Sequence, residues 1–170
     1  SEEKKALAEQ VSKNLVTAVV SILKNQPEKA CPGVNDLLNT LKETPVKIGL
    51  LTGNLHDIVL PKLENAGIDA SVFTCGGFGD HSPNRAETAR RALESVTAAD
   101  GSPIDPDRVL IIGDTPNDIA CARSVHANVL SVTTGKYSAT VLNESHPDYI
   151  IENFSDTEKV MSIILHGKAL

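Results

Sequence analysis

The stretch Ile112-Gly-Asp-Thr-Pro-Asn-Asp-Ile-Ala-Cys121 joins an apolar strand to a helix and carries two carboxylates at the junction. Gly113 permits a tight turn, and Pro116 suits a first helical turn because its missing N–H has no intrahelical partner there. Asp114 and Asp118 are four residues apart, so both can lie over the carboxyl end of one strand. Ligands of parallel α/β sheets bind at that edge, which makes this turn the first candidate site.

The spacing of the acidic pair leaves two interpretations open. Mg²⁺ is usually held by one or two carboxylates together with water and phosphate oxygens, so Asp114 and Asp118 are candidate metal ligands. The same pair also suits a capped helix start, because an Asp at the N-cap and another in the first turn are both favourable.

Composition bounds the class of protein. A chain of 170 residues is typical of one domain and can bury roughly 70% of its unfolded surface. Its net charge of −6, without a basic stretch, argues against a nucleic-acid partner, and no apolar run approaches the ~18 residues of a membrane span. Three cysteines without a CxxC pattern favour reduced thiols. We therefore expect a cytoplasmic protein with neither nucleic-acid nor membrane partners.

Hydrophobic periodicity predicts helices that alternate with strands. The predicted helices are residues 2–24, 33–43, 55–66, 84–96, 115–124, 138–143 and 156–165. The predicted strands are residues 46–51, 70–74, 108–112, 128–132 and 149–151, with residues 76–80 as a loop. This order predicts an α/β fold, a doubly wound parallel sheet with helices on both faces.

A second strand end carries Leu50-Leu-Thr-Gly-Asn54. The hydroxyl of Thr52, followed by free N–H groups of Gly53 and Asn54 at a helix start, would form a small phosphate cradle. A Thr N-cap with a Gly turn is the alternative. Both turns lie at carboxyl ends of strands in one parallel sheet, so they share an edge.

Arg85 begins the predicted helix 84–96. A cation at a helix N-terminus is unfavourable for the helix dipole, so its position favours a role in which the guanidinium bridges carboxylates and a bound phosphate. Arg90 and Arg91, by contrast, are typical of a solvated helical face.

With Thr52, Arg85, Asp114 and Asp118 in this order, the sequence resembles the haloacid dehalogenase superfamily, particularly its phosphoglycolate-phosphatase-like branch. The resemblance runs from about Cys31 to the C-terminus and is most specific at the Gly-Asp-Thr-Pro-Asn-Asp stretch. It implies a Rossmann-like core with an α-helical cap.

By this resemblance, residues 1–28 are a remnant of the cap and residues 29–170 are a core that lacks its first strand. The implied activity is Mg²⁺-dependent hydrolysis of small phosphorylated metabolites.

The resemblance also implies a role for each site residue. Thr52, with Gly53 and Asn54, binds the transferring phosphoryl group, and Arg85 neutralises it. Asp114 binds Mg²⁺, and Asp118 supports the metal and the attacking water. Most members of the family carry Lys at the position of Arg85, and the branch that this loop resembles carries Arg there.

The chain departs from the family where the nucleophile belongs. The family attacks phosphate with an Asp in an Asp-x-Asp signature at the end of its first strand, and no such signature precedes Thr52. We expect the chain alone to be inactive. In the family's sheet, the first strand lies between the strands that end at Thr52 and Asp114. For this chain, either a preceding segment supplies that strand, or another chain supplies it, or the two neighbouring strands close up. We favour the first, because the chain begins with Ser1 inside a cap-like helix.

Three other functions are compatible with the sequence. The chief alternative is a naturally truncated pseudoenzyme or subunit that binds phosphate or a partner chain without turnover. A dehalogenase of the same fold is weaker, because the complete acidic motif favours phosphate. A nucleotide-binding module is weaker still, because neither Gly76–Gly79 nor the stretch Thr134-Gly-Lys-Tyr-Ser138 has the glycine spacing of a nucleotide-binding loop.

Overall fold

The computed structural model describes residues 2–25, 29–80, 82, 84–102 and 104–167. The helices are α1 (Glu2–Asn25), α2 (Val34–Lys42), α3 (His56–Asn65), α4 (Arg85–Asp100), α5 (Pro116–Ser124), α6 (Ala139–Asn143) and α7 (Thr157–His166). The strands are β1 (Gly49–Leu51), β2 (Cys75–Gly77), β3 (Leu110–Gly113), β4 (Asn128–Val132) and β5 (Tyr149–Ile151). Short 3₁₀ turns lie at Ala70–Val72 and Pro106–Arg108.

The strands form two parallel sheets, β1-β2 and β3-β4-β5. Side chains alternate along β4, so Leu130 and Val132 face one cluster, which includes residues of α2 and α7, while Val129 faces another, with residues of α5 and α6. Helices therefore cover both faces of the larger sheet, which confirms the predicted α/β fold. Among the described helices, none combines the length and apolar content needed to cross a bilayer.

Two strand predictions need correction. The predicted strand 46–51 is regular only over Gly49–Leu51. The predicted strand 70–74 is wrong, because the Asp69 carboxylate accepts the Ser71 N–H at 2.9 Å and closes a 3₁₀ turn there.

The strand lies instead at Cys75–Gly77, which overlaps the predicted loop 76–80. Gly77 is required by close packing on α4, because a Cβ there would lie 2.2 Å from the Thr88 carbonyl oxygen.

The two sheets are not joined by hydrogen bonds between their described strands. Within the described residues, β1 pairs only with β2, and β3 pairs only with β4. Ile48, just before β1, and Leu110 on β3 nevertheless pack against the same apolar cluster. Ile112 on β3 is 39% exposed. The structure therefore does not show β1 and β3 paired with each other, which was the alternative in which the neighbouring strands close up.

Helix α1 packs against α3 near its C-terminal end, where Leu23 is buried and its carbonyl oxygen accepts the Asn65 side-chain amide at 2.7 Å. Further toward the N-terminus, Leu7, Val11 and Leu15 are exposed. The assignment of residues 1–28 to a cap remnant and 29–170 to the core stays a prediction, and residues 26–28 lie outside the described residues.

Two buried hydroxyls at the sheets predict opposite responses to mutation. Thr88 is 1% exposed and its hydroxyl donates to the Asn84 carbonyl oxygen at 3.1 Å, whereas Ser131 is 0% exposed and its hydroxyl has no partner among the described residues. We expect Ser131→Ala to raise the free energy of unfolding by about 1 kcal/mol and Thr88→Val to lower it by about 1 kcal/mol. Urea denaturation of both variants checks this, and destabilisation by Ser131→Ala would contradict it.

Candidate phosphate and metal site

The turn into α5 is organised by the Asp118 carboxylate. Its Oδ2 atom accepts the backbone N–H groups of Asp114 and Thr115 at 3.2 and 3.1 Å, and the Thr115 hydroxyl at 2.8 Å. Thr115 in turn caps α5 by accepting the Asp118 N–H at 3.2 Å, which completes a capping box. Gly113 makes room for this arrangement, because a Cβ there would lie 2.3 Å from the Asp118 Cβ. Asp118 therefore occupies the first-turn position that the sequence left open, whereas the N-cap is Thr115 and not an Asp.

The second oxygen of Asp118 binds Arg85. Asp118 Oδ1 accepts from Arg85 Nη2 in an ion pair whose side chains are 13% and 36% exposed. This pair compensates the cation at the start of α4 and joins α4 to the α5 turn. The other end of the guanidinium faces the turn after β1, because a Cβ at Gly53 would lie 3.6 Å from Arg85 Nη1.

The turn after β1 brings Thr52 to the same edge. Its N–H continues the ladder by donating to the Gly77 carbonyl oxygen at 3.0 Å, and its Oγ1 accepts both the backbone and the side-chain N–H of Asn54, at 3.1 and 3.0 Å. The prediction of a free Asn54 N–H is thus wrong. Within the described part of the chain, the Gly53 N–H keeps no partner, and the Thr52 hydroxyl proton remains available to donate.

The Asp114 carboxylate is half-buried and accepts no hydrogen bond from the described residues. It lies against the loop after β4, so closely that a Cβ at Gly135 would be 1.9 Å from Asp114 Oδ2. An unneutralised carboxylate of this kind fits one ligand position of Mg²⁺, which takes its remaining oxygens from water and phosphate. The described residues contain no group of three or more His, Cys, Asp or Glu side chains that could hold a metal alone.

Asp118 as a metal ligand stays a prediction. Both of its oxygens accept hydrogen bonds from protein donors, so coordination would require one of those donors to be released.

Gly135 provides the space for Asp114, which gives a direct test of the metal prediction. We expect Gly135→Ala to displace the Asp114 carboxylate and to weaken Mg²⁺ binding at least about tenfold, measured by calorimetry in the presence of phosphate. Gly67→Ala is the control, since a Cβ at that position would meet no atom within 4 Å, although its φ of +69° adds backbone strain. Unchanged Mg²⁺ affinity in Gly135→Ala would exclude Asp114 as a ligand in this geometry.

Two contributors to the site were missed from the sequence. Gly135 belongs to a stretch that fails the nucleotide-loop pattern, although its place just after a parallel strand puts it at the ligand-binding edge. Asp80 has only a loop assignment from sequence, yet it accepts the His56 N–H at 2.6 Å beside the Thr52–Asn54 turn. No local pattern identifies this contact, because its partners are 24 residues apart.

Two of the three cysteines, Cys75 and Cys121, are partly or fully buried thiols with raised pKa values. All three are free thiols, and burial raises the pKa of both Cys75 and Cys121 above the ordinary thiol value. The Cys121 thiol donates to the Arg85 carbonyl oxygen at 3.2 Å, so it supports the start of α4.

The chain is similar to known proteins in both sequence and fold. A family model described as HAD-hydrolase-like matches residues 79–157. Phosphoglycolate phosphatase of Agrobacterium fabrum is 29% identical over 126 residues, which cover 73% of this chain and 51% of that protein. Pyrophosphatase PpaX of Oceanobacillus iheyensis is 26% identical over 129 residues, 75% of this chain and 58% of that protein.

A solved structure shows the same fold. The CbbY protein of Rhodobacter sphaeroides, in complex with xylulose-(1,5)bisphosphate, superposes with a TM-score of 0.71 at 16% identity, over 87% of this chain and 64% of that one. The chain spans little more than half the length of the two relatives above. The matched family model and these relatives make the chain similar to the haloacid dehalogenase superfamily, in particular to its phosphoglycolate phosphatases.

Proposed function

We propose that this chain forms the phosphate- and metal-binding part of a Mg²⁺-dependent phosphohydrolase that acts on small phosphorylated metabolites. The observation that carries the proposal is the position of Arg85. One end of its guanidinium pairs with Asp118, and the other lies beside Gly53, so it links the turns after β1 and β3.

Each side chain has a distinct role in this proposal. The Thr52 hydroxyl and the Gly53 N–H donate to phosphoryl oxygens, while Arg85 neutralises their charge. Asp114 would hold Mg²⁺, which when bound offsets negative charge on the phosphoryl group. Asp118 orients Arg85 and fixes the turn that carries Asp114. The cation and the metal matter here because the chain has a net charge of −6.

We further propose that an additional polypeptide segment supplies a strand between β1 and β3. Three features support it: each strand has a second edge without a partner among the described residues, Ile48 just before β1 packs against the same apolar cluster as Leu110 of β3, and Ile112 is exposed. A strand there would bring a nucleophilic Asp to the edge that holds Thr52 and Asp114. The length of the relatives beyond the matched part is compatible with a preceding segment.

Free thiols favour a reducing compartment, so we propose a cytoplasmic location.

The mass of the protein isolated from its source separates the two main functions. A mass above 18.1 kDa favours a phosphatase with a preceding segment, and a transcript beginning at or just before Ser1 favours a truncated phosphate-binding subunit.

Calorimetry and an activity assay on the 170-residue chain test the proposed function. We expect inorganic phosphate to bind in a Mg²⁺-dependent manner, and we expect no release of phosphate from phosphoglycolate by the chain alone. Asp114→Ala should lose the Mg²⁺ dependence, whereas Asp57→Ala should keep it, because Asp57 is a well-exposed carboxylate that contacts only His56 among the described residues. Absence of phosphate binding would refute the function, and Mg²⁺-dependent hydrolysis that Asp114→Ala abolishes would refute the need for another segment.

A further inference from the structure

The loop Phe78–Asp80 is fastened to the Gly53–His56 turn by three contacts. The Gly79 N–H donates to the Asn54 carbonyl oxygen at 2.9 Å, Asp80 Oδ2 accepts the His56 N–H at 2.6 Å, and the rings of Phe78 and His56 meet edge to face at 4.9 Å. The backbones are so close that a Cβ at Gly79 would lie 2.1 Å from the Gly53 carbonyl oxygen.

Asp80 caps the N-terminus of α3, which has no capping side chain of its own. The N-cap residue of α3 is Leu55, whose side chain makes no capping hydrogen bond. The first N–H of the helix is satisfied instead by a carboxylate from a loop 24 residues away. The turn held in this way is the one beside Arg85, since a Cβ at Gly53 would lie 3.6 Å from Arg85 Nη1. Asp80 thus fastens the phosphate-binding turn that faces the phosphate-neutralising cation.

We propose that Asp80 is a positioning residue that holds the Thr52–Asn54 turn in place beside Arg85, so that the turn and the guanidinium bind one phosphate. The inference rests on the proposed function and adds to it a residue outside the predicted site. The hydrogen bond and its geometry are what matter, while the negative charge of Asp80 opposes anion binding.

The charge and the position of Asp80 predict opposite effects of its substitution on phosphate affinity. If Asp80 acted only through its charge, its neutralisation would tighten phosphate binding. If it acts by position, Asp80→Asn keeps an acceptor oxygen and should bind phosphate within about threefold of the unmodified chain, whereas Asp80→Ala should bind about tenfold more weakly. Asp80→Glu keeps the charge but moves the carboxylate by one methylene, and it should also weaken binding. Because Asp80 is exposed, we expect all three variants to fold.

The experiment is calorimetric titration of the chain with inorganic phosphate and Mg²⁺, with amide hydrogen exchange at His56 and Gly79 as a second measurement. The control is Asp156→Ala, which removes a comparable helix cap at α7 and should leave phosphate affinity unchanged.

Weaker binding in the Ala and Glu variants, with retention in Asn, supports the positioning role. Tighter binding in Asn and Ala, or faster amide exchange with unchanged affinity in Ala, overturns it while leaving the proposed function intact. An unmodified chain that binds no phosphate overturns the proposed function, and the role of Asp80 with it.

Discussion

Asp118→Ala is expected to lower the free energy of unfolding by about 3 kcal/mol and to abolish detectable phosphate binding. The substitution removes three hydrogen bonds to Oδ2, and it leaves the partly buried Arg85 guanidinium without its carboxylate. Urea denaturation measures the first effect and calorimetry the second.

The matched control for this substitution is Asp156→Ala, which removes a single N-cap hydrogen bond at 3.1 Å. We expect it to cost about 1 kcal/mol and to leave phosphate affinity unchanged. Equal destabilisation by the two variants would mean that Asp118 is only a helix cap, and the link between Arg85 and the α5 turn would lose its significance.

The other large effect should come from supplying the strand between β1 and β3. We expect an added peptide, with an apolar stretch of about five residues ending in Asp-x-Asp, to raise Mg²⁺-dependent phosphate release from phosphoglycolate at least about 10³-fold over the uncatalysed background that the chain alone leaves unchanged. The peptide would pair with the edges of both strands that face each other and place its first Asp beside Thr52 and Asp114.

A peptide ending in Asn-x-Asn is the control for strand addition, because it can pair with the same edges but offers no nucleophile. It should bind without producing hydrolysis, and Arg85→Ala should abolish the activity obtained with the Asp-x-Asp peptide. A peptide that binds with its strand between β1 and β3 and still gives no turnover would contradict the proposed reaction.

The larger sheet could be predicted from sequence because its signals are local. The predicted strands 128–132 and 149–151 are confirmed at β4 and β5, and Pro116 with Thr115 defines the start of α5. Strand β2 could not be predicted in the same way. Its Cys-Gly-Gly sequence has little strand propensity and is extended because α4 packs closely against it.

The sequence identified four side chains of the candidate site, Thr52, Arg85, Asp114 and Asp118, but neither their hydrogen bonds nor the contributions of Gly135 and Asp80. Strand-end position identifies Thr52 and Asp114 as residues of one edge. The spacing of Asp118 could not decide between a helix cap and a metal ligand, because its partner Arg85 is 33 residues away. Gly135 could not be predicted either, because its role depends on the close approach of two separate loops: a Cβ there would collide with the Asp114 carboxylate.

The most direct test of a single shared phosphate site is a phosphate titration of isotope-labelled chain followed by NMR, with and without Mg²⁺. We predict that the Gly53 amide, the Arg85 side-chain N–H signals and the Gly135 amide shift together with one dissociation constant, and that removing Mg²⁺ weakens binding for all three. Shifts confined to one turn, or separate dissociation constants for the turns after β1 and β3, would contradict the claim that these residues bind a single phosphate.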